Sequence, residues 1–484
     1  MAGLALISAM YMADWLMGLR PLPQLLQQPL LSILPGAVFG LLIDTLKHAG
    51  KVVEEAGLIL ALLAALSLLG GVYGRLTERW TWPYLSTALA AAGWLVVTLV
   101  LLPLCGDGLL GLAEGVQAPV LWAVLFMLYS VVLQYVYGSD RDRATDPARR
   151  RLLSAIPIGI AALSVAGLAV RLGPRWYSAV FQAPEQTAAG AASELTPVSE
   201  FYVVSKNFQD PVVAAGPWRL HVRGMVQAPA TLDDAGLAAL STVTQYVTLE
   251  CISNTVGGPQ ISTARFGGVP LRDLIATAGP SAGATAVNFT SADGYTETLP
   301  LAMVMAHPEI MVANRMNDAP LTVAHGFPAR ILIPGHYGMK GPKWLTDIEV
   351  AATAQGGYWE GQGWDPMAEV RTMSRIDLPL DGDLVPLRAV SISGFAFAGA
   401  RGISRVEVST DGGQTYTAAT VKPALSEYTW SAWQLTWTPM AEGAHTLVVR
   451  ARDGSGAAQS ASQAASFPSG SSGYHRVAVN VLKT

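Results

Sequence analysis

Charged residues and cysteines are scarce in this chain of 484 residues. Asp, Glu, Lys and Arg make up 14% of the residues, against about 25% in an average soluble domain. The formal net charge is −4, so the chain has no strong positive field to attract nucleic acid. Its two cysteines, Cys105 and Cys251, exclude a disulfide scaffold and a zinc cluster built from cysteine. Hydrophobic residues reach 51%, which excludes a disordered chain and disfavours a wholly soluble one.

Long uncharged runs occur only in the first 180 residues. About 20 apolar residues in a helix span a bilayer, because a helix satisfies its backbone groups internally. Four such runs and a fifth, shorter one that carries Asp14 predict membrane spans: Ala56–Gly74, Trp82–Leu104, Gln117–Tyr137, Leu152–Val170 and Ala2–Leu19. Prolines interrupt another uncharged run, Pro21–Ile43. For this run we predict an interfacial or re-entrant segment, with a sixth span as the alternative.

Arginines in the short loops predict the orientation of the spans, since cytoplasmic loops are rich in Lys and Arg. Arg75 and Arg79 follow the first long run, and Arg149–Arg151 precede the last one. Five spans then place the N-terminus inside and the chain after Arg171 on the extracytoplasmic side. Arg149–Arg151 and the apolar residues after them are also similar to a twin-arginine export signal. A cluster that only fixes the orientation is the alternative.

The apolar part offers few groups for redox chemistry or transport. It holds one histidine, His48, whereas a haem inside a helix bundle usually takes two. We therefore predict neither a haem nor an iron–sulfur cluster in this chain. Charges are rare in the predicted spans, which favours a lipid-embedded anchor and docking platform over a transport pathway.

Strand signals dominate the chain after residue 182. Small and polar residues indicate a linker over residues 182–197. Alternating apolar and polar residues with short helices, such as Leu271–Ala278, then predict an α+β domain, 198–377. In residues 378–484, repeated short strands and the hairpin signal Asp411-Gly412-Gly413 predict an all-β immunoglobulin-like sandwich. Together with an all-α transmembrane bundle over residues 1–181, these parts make a multidomain fold.

Two segments rich in polar residues and glycine carry the chemical signals. Cys251 ends a β-rich run and begins the first, Cys251–Gly258. From the residues alone, a buried filler, a reactive thiol and a metal-binding thiolate remain open. The second, His325–Trp344, leads from a predicted strand into a glycine-rich loop with Lys340 and Lys343. Free amides beside Lys and Arg suit a phosphate, and a solvated basic turn is the alternative.

Taken in their order along the chain, these segments resemble the sulfite oxidase family of molybdopterin-dependent oxidoreductases. The resemblance covers the chain from about Phe201 to the C-terminus. Membrane-anchored bacterial members look most similar. The residues that carry the resemblance are Phe201-Tyr202, Trp218–Leu220 with Gly224, Leu249–Cys251 with Asn254, Ser291–Tyr295, His325–Pro328 with Arg330, Pro334-Gly335, Tyr337–Lys340 and Lys343-Trp344.

The resemblance implies a bound molybdenum–molybdopterin cofactor and a role for each matching residue. Cys251 is then the protein ligand to molybdenum, because a soft thiolate suits this metal and the metal keeps it deprotonated. Asn254 is implied to order the cysteine loop. The residues implied to contact the pterin or its phosphate are Tyr202, Val203, Ser291, His325, Arg330, Gly338, Met339, Lys340 and Lys343. The C-terminal sandwich corresponds to the family's dimerisation domain, which implies a homodimer.

The substrate-binding positions depart from the family pattern. Sulfite oxidases have an arginine and a histidine in the segment that matches Val203–Asn207, where this chain offers Lys206. A lysine lacks the bidentate fork of an arginine. The family's active-site tyrosine falls near Trp364. These changes favour a neutral sulfoxide or N-oxide over the sulfite dianion as the small-molecule substrate.

We therefore predict a membrane-anchored oxidoreductase that performs two-electron oxo transfer on a small S- or N-oxide or oxyanion. Electrons are exchanged with a separate membrane or periplasmic partner, a cytochrome or a quinone-linked protein. An internal twin-arginine signal fits this prediction, since the family's cofactor is inserted before export. A sulfite dehydrogenase is the alternative. A third hypothesis is a membrane-tethered binding module without turnover, which the intact Cys251, Arg330 and Lys340 disfavour.

Overall fold

The computed structural model describes residues 1–27, 29–30, 50–80, 82–105, 107–138, 159, 162–174, 176–177, 194–207 and 210–483. Arg149–Arg151, residues 31–49 and most of the predicted linker lie outside these residues. The described residues divide into two compact units. The helical unit ends at Tyr177, and the β-rich unit begins at Glu194.

Three helices of the helical unit are long and apolar enough to cross a membrane. They are Gly50–Arg79, Leu85–Leu104 and Ala118–Tyr135, and each overlaps a predicted span. A π-helical turn, Val97–Leu101, lies inside the second. The helices in chain order are α1 (Ala2–Met17), α2 (Leu22–Leu25), α3 (Gly50–Arg79), α4 (Leu85–Val96), α5 (Leu102–Leu104), α6 (Ala118–Gly138) and α7 (Ala162–Pro174), with a 3₁₀ segment at Leu109–Glu114.

Two acidic residues inside the helical unit, Glu55 and Asp14, have polar partners in other parts of this unit. Glu55 in α3 is 2% exposed and accepts hydrogen bonds from Tyr11 Oη at 3.0 Å and Trp176 Nε1 at 2.9 Å. Asp14 forms an ion pair with Arg171 at 3.1 Å. Such pairing lets charged side chains lie inside an apolar bundle, because a lone buried charge is costly. α3 begins at Gly50, six residues before the predicted span, and includes Glu55.

The first part of the β-rich unit combines two sheets with short helices. One sheet has the order β2-β1-β10-β5-β6, and the other has the order β3-β4-β7-β8 with β9 paired to β7. Only the β1–β10 pair of these sheets is parallel among the described strands. The strands are β1 (Leu220–Gly224), β2 (Ala230–Leu232), β3 (Val243–Glu250), β4 (Ile261–Pro270), β5 (Ala286–Ser291), β6 (Thr296–Pro300), β7 (Met311–Met316), β8 (Ala319–Pro320), β9 (Arg330–Leu332) and β10 (Leu345–Ala351). The helices are α8 (Asp234–Leu240), α9 (Leu271–Ala278) and α10 (Leu301–Ala306).

The C-terminal part consists of two further sheets, with the orders β11-β13-β17-β16 and β12-β19-β18-β14-β15. Apolar residues of both sheets, such as Ile392, Trp433, Val406 and Leu447, share one core. The predicted hairpin is confirmed, since Asp411-Gly412-Gly413 joins the antiparallel strands β14 and β15. The strands are β11 (Met373–Leu378), β12 (Leu384–Pro386), β13 (Val390–Phe397), β14 (Ile403–Ser409), β15 (Thr417–Ala418), β16 (Thr420–Val421), β17 (Ser431–Trp437), β18 (Gly443–Asp453) and β19 (His475–Leu482).

Strand ends of the first two sheets position the residues of the predicted site. Cys251 directly follows β3, Ser291 is the last residue of β5, and Arg330 is the first residue of β9. A 3₁₀ turn, Gly338–Lys340, lies in the glycine-rich loop between β9 and β10. The core strands therefore fix the backbone on which these side chains stand.

Candidate cofactor site

Cys251 begins a loop, the cysteine loop (251–260), that leads from β3 to β4. The residue is 8% exposed, and its Sγ lies 3.0 Å from Ser253 Oγ. Its N–H donates to Gln260 O at 2.9 Å, which closes the loop. Burial raises the pKa of the Cys251 thiol, although the hydrogen bonds with Ser253 lower it. The surrounding protein therefore favours the neutral thiol, and a bound metal ion is what would hold the thiolate.

Asn254 connects the two ends of the cysteine loop. Its Nδ2 donates to Glu250 Oε1 at 2.9 Å, and its Oδ1 accepts from Gln260 N at 3.0 Å. Asn254 is 2% exposed and Glu250 is 5% exposed. Burial raises the pKa of Glu250 to about 7, against the effect of the Asn254 amide. The side chain that was expected to order the loop is thus bonded on both sides of Cys251.

Tyr202 and Gly338, two predicted pterin contacts, meet beside the cysteine loop. A Cβ atom at residue 338 would lie 2.7 Å from Tyr202 Oη and 3.5 Å from Glu250 O, so a side chain at this position would clash. Burial raises the pKa of Tyr202 well above its usual value; the charges of Cys251 and Glu250 raise it further, whereas that of Arg330 lowers it. The Tyr202 hydroxyl is therefore close enough to Cys251, Glu250 and Arg330 to interact electrostatically with all three.

Arg330 carries a guanidinium group into the protein interior. The residue is 5% exposed, and burial lowers its pKa to about 10. Its Nη1 donates to His325 O at 3.3 Å, while its Nε has no hydrogen-bond partner. Among the described residues, no carboxylate forms an ion pair with Arg330. A buried cation without a counter-ion is unfavourable, so this position is suited to an anion.

His325 and Lys343 lie close to Arg330. His325 Nε2 lies 3.3 Å from Val198 O; a carbonyl only accepts, so we assign the proton to Nε2, which leaves Nδ1 as an acceptor. Burial lowers the pKa of His325 to about 4, and the charges of Arg330 and Lys343 lower it further. Lys343 Nζ donates to Ala324 O at 3.0 Å and lies 4.3 Å from the centre of the Trp344 ring. This region therefore combines a neutral histidine with two cations.

The other predicted pterin contacts differ in how their polar groups are used. Ser291 is 3% exposed, and its Oγ has no hydrogen-bond partner. Met339 O accepts a hydrogen bond from Tyr295 Oη at 2.6 Å. Val203 is 47% exposed, so its backbone lies at the surface of the unit. Ser291 is thus the residue of this group with an unused buried donor.

Lys340 is held between two carboxylates. Its Nζ lies 2.6 Å from Glu297 Oε1 and 2.6 Å from Glu360 Oε1. The side chains of Lys340 and Glu297 are 4% and 0% exposed. Burial raises the pKa of Glu297 to about 7, although Lys340 lowers it. The charge that was expected to hold the pterin phosphate is therefore already balanced by two acidic side chains.

The two residues that were predicted to act on the substrate have different environments. Lys206 Nζ donates to Asp293 O at 2.9 Å and to Asn207 Oδ1 at 3.1 Å, and it lies 3.7 Å from Asp293 Oδ2. Trp364 is 3% exposed and stands edge-on to Phe467, with 5.2 Å between the ring centres. Trp364 shares an apolar cluster with Ile252, the residue after Cys251. Lys206 is thus bound to an acidic residue, and Trp364 is packed beside the cysteine loop.

The residues that support Cys251 and Lys340 were not predicted from the sequence. Ser253 and Gln260 bond to each other at 3.1 Å under the Cys251 thiol, and Glu297 and Glu360 hold Lys340. Glu297 had a detectable signal: it occupies an inward position of β6, whose exposure alternates along the strand. Its partner lies 43 residues further along the chain, a separation that sequence spacing does not predict.

Known protein families match most of the chain after residue 206. The family model for the oxidoreductase molybdopterin binding domain matches residues 207–359, and the model for the Mo-co oxidoreductase dimerisation domain matches residues 365–482. The chain is 31% identical to mitochondrial sulfite oxidase of Mus musculus, over 45% of this chain and 48% of that protein. It is 28% identical to sulfite oxidase of Gallus gallus, over 53% and 65%. The alignments with the mammalian sulfite oxidases span only about half the length of those relatives.

A solved structure shares the fold of the β-rich unit. The sulfane dehydrogenase SoxCD from Paracoccus pantotrophus aligns with a TM-score of 0.52 and 20% identity, over 61% of this chain and 86% of that chain. This likeness concerns the fold alone. Two family models in sequence, the related sulfite oxidases and the shared fold all lead to one assignment. The chain belongs to the sulfite oxidase family of molybdopterin-dependent oxidoreductases.

Proposed function

We propose that this chain is a membrane-anchored molybdenum-cofactor oxidoreductase that performs two-electron oxo transfer on a small S- or N-oxide or oxyanion. One observation carries the proposal. The buried guanidinium of Arg330 has no carboxylate partner among the described residues, and it acts on the same tyrosine hydroxyl as Cys251. A sulfur that can bind a metal and an unpaired cation that can bind an anion thus lie near one tyrosine, which suits a cofactor with both a metal and a phosphate.

The residues of the site fit this cofactor. The Cys251 sulfur is a soft ligand of the kind that molybdenum takes. Arg330 supplies charge for a phosphate, and the unpartnered Ser291 Oγ and the His325 Nδ1 acceptor can bond to polar edges of a pterin. Residue 338 lacks a side chain where the backbone comes closest to Tyr202. The unpartnered Nε of Arg330 and Oγ of Ser291 are the features that a bound ligand would explain.

The protein's part in the reaction is to hold and orient. When bound, the molybdenum cofactor supplies the two-electron redox chemistry of oxo transfer. Asn254 and Gln260 keep the cysteine loop closed, so that Cys251 Sγ points to one position. Burial of Cys251 and Arg330 excludes water and strengthens their electrostatic interactions. Neutral His325 offers a hydrogen-bond acceptor without adding a third charge.

We propose a neutral sulfoxide or N-oxide as the substrate. The charge of Lys206 is offset by Asp293, which leaves this lysine poorly suited to attract a dianion. Sulfite oxidation is the second candidate, because several of the relatives described above are sulfite oxidases. Turnover of methionine sulfoxide and of sulfite by one preparation distinguishes the two, and a higher kcat/KM for sulfite would reject the first.

The proposal includes the location and the partners. The long apolar helices anchor the chain in lipid, and the loop arginines place the catalytic domain (198–377) on the extracytoplasmic side, with Arg149–Arg151 as an internal twin-arginine signal. Electrons pass to or from a separate cytochrome or quinone-linked protein. Residues 378–484, after the linker (182–197) and the catalytic domain, form an immunoglobulin-like domain through which two chains pair. The match to the dimerisation domain supports this pairing.

The direct test measures molybdenum per chain in detergent-purified protein from a host that makes the cofactor. The matched pair of variants is Cys251→Ser and Cys105→Ser. We expect near-stoichiometric metal in the wild type and in Cys105→Ser, and strong loss in Cys251→Ser. Equal metal in all three proteins, or none in the wild type, would contradict the proposed site.

A further inference from the structure

Residues of the C-terminal domain make direct contact with the cysteine loop. Arg375 in β11 donates from Nη1 to Gly258 O at 2.9 Å. Ser471 Oγ donates to Asn254 O at 2.7 Å. Both donors lie in the part that matches the dimerisation domain, and both acceptors lie in the part that matches the molybdopterin domain. Two carbonyls of one short loop are thus held from the other domain.

The Arg375 contact is buried and rigidly supported. Arg375 is 6% exposed, and its Nε donates to Asp377 Oδ1 at 2.6 Å. The acidic partner orients the guanidinium, which leaves Nη1 directed at the loop. A hydrogen bond from a charged donor is about twice as strong as a neutral one.

His475 packs against the loop beside these bonds. A Cβ atom at Gly257 would lie 2.2 Å from His475 Cδ2, so the imidazole ring occupies the space next to the loop backbone. His475 Nδ1 in turn accepts from Ile376 N at 3.0 Å, which fixes the ring to β11. The two carbonyl groups that accept hydrogen bonds from the C-terminal domain, those of Asn254 and Gly258, thus lie before and after Gly257 in the loop.

The strand that leads into the loop is covered by the same domain. β3 is an edge strand of its sheet. Thr248 N donates to Tyr428 O at 2.9 Å, and Thr248 Oγ1 accepts from Trp430 N at 2.9 Å. Ser426 Oγ donates to Tyr246 O at 2.7 Å. Both the strand before Cys251 and the loop after it are thus bonded to the C-terminal domain.

We infer that the C-terminal domain has a second task beside pairing two chains: Arg375 and Ser471 are positioning residues that hold the cysteine loop and thereby fix the direction of the Cys251 sulfur. Neither side chain needs to touch the cofactor for this effect. Loss of either bond removes one of the two hydrogen bonds that hold loop carbonyls from the C-terminal domain, which makes local opening of the loop easier. The inference deepens the role proposed for Cys251, but the bonds that it concerns exist without cofactor.

The test uses the full chain in detergent, made in a host without the cofactor, in a Cys105→Ser background. The rate at which iodoacetamide alkylates Cys251 is measured by mass spectrometry. We expect alkylation to be about tenfold faster in Arg375→Gln and at least about threefold faster in Ser471→Ala. The control is Arg405→Gln, which removes an arginine of the same domain that pairs with Glu407 at the surface; its rate should equal that of the parent.

Several outcomes decide the inference. Faster alkylation in Arg375→Gln and Ser471→Ala, with the control unchanged, supports it. Parent-like rates in a folded Arg375→Gln protein overturn it, as does equal acceleration in Arg405→Gln. If Arg375→Gln does not fold, Ser471→Ala decides by the same criterion. Since no cofactor is present, failure here leaves the proposed oxidoreductase function standing, and failure of molybdenum binding leaves this result standing.

Discussion

Two buried cations of the β-rich unit, Lys340 and Arg330, differ in whether acidic side chains lie next to them. Lys340 lies between Glu297 and Glu360, each 2.6 Å from its Nζ. Arg330 has no carboxylate partner among the described residues, and its Nε bonds to nothing. Removal of a buried cation from its acidic partners is costly, whereas a buried cation without such partners is tolerated where a ligand brings the missing charge. We therefore expect Lys340 to stabilise the folded protein and Arg330 to bind the cofactor, although both belong to one predicted set.

The largest effect is expected at Lys340. Lys340→Met leaves two carboxylates near each other without their cation, and removal of one partner from a buried pair costs about 3–5 kcal/mol. We expect the thermal midpoint of the cofactor-free protein to fall sharply. Differential scanning fluorimetry measures this midpoint. Glu297→Gln in the same chain should restore part of the loss, and an unchanged midpoint in Lys340→Met would contradict the structural role.

Arg330 should show the opposite pattern. Arg330→Met removes a buried charge that lacks a counter-ion, so the midpoint of the cofactor-free protein should stay equal or rise. Cofactor content should fall by about tenfold or more, since a charged hydrogen bond is worth about 1.5–3 kcal/mol. Pterin released from the purified variant and measured by fluorescence gives the content. Full pterin content in Arg330→Met would contradict the proposed role of Arg330 in binding the cofactor.

The smallest effect is a pH dependence at Glu297. Its pKa is raised by burial from 4.5 to about 7 in the folded protein, so the folded state binds the proton more tightly than the unfolded state. The stability from this group is complete below pH 4.5 and is lost as the pH rises through about 7. Glu297→Gln should flatten the fall of the midpoint in this window. Parallel curves for the variant and the wild type would show that Glu297 does not titrate there.

The sequence predicted what local pattern determines. Uncharged runs located the three long helices, and Asp411-Gly412-Gly413 located a hairpin. The predicted span left out the charged residues before Ala56, but α3 includes Glu55, which accepts hydrogen bonds from Tyr11 and Trp176, far from it in the sequence. The order of motifs along the chain predicted the family, which the comparisons confirm, whereas the role of Cys251 stays a prediction.

The supporting contacts of the site were beyond a sequence argument. The prediction that Lys340 contacts the pterin or its phosphate did not include its two acidic partners, which lie 43 and 20 residues away. The bonds from Arg375 and Ser471 to the cysteine loop cross 117 and 217 residues. Residue type and spacing predict local chemistry, whereas the partner that balances a charge is chosen by the fold.

X-ray absorption at the molybdenum edge directly tests whether the Cys251 sulfur binds molybdenum. The wild type and Cys251→Ser are compared after purification from a host that makes the cofactor, with Cys105→Ser as the control. We expect one sulfur neighbour fewer around any molybdenum that Cys251→Ser retains, and an unchanged number of sulfur neighbours in Cys105→Ser. The same number of sulfur neighbours in the wild type and in Cys251→Ser would contradict binding of molybdenum by Cys251.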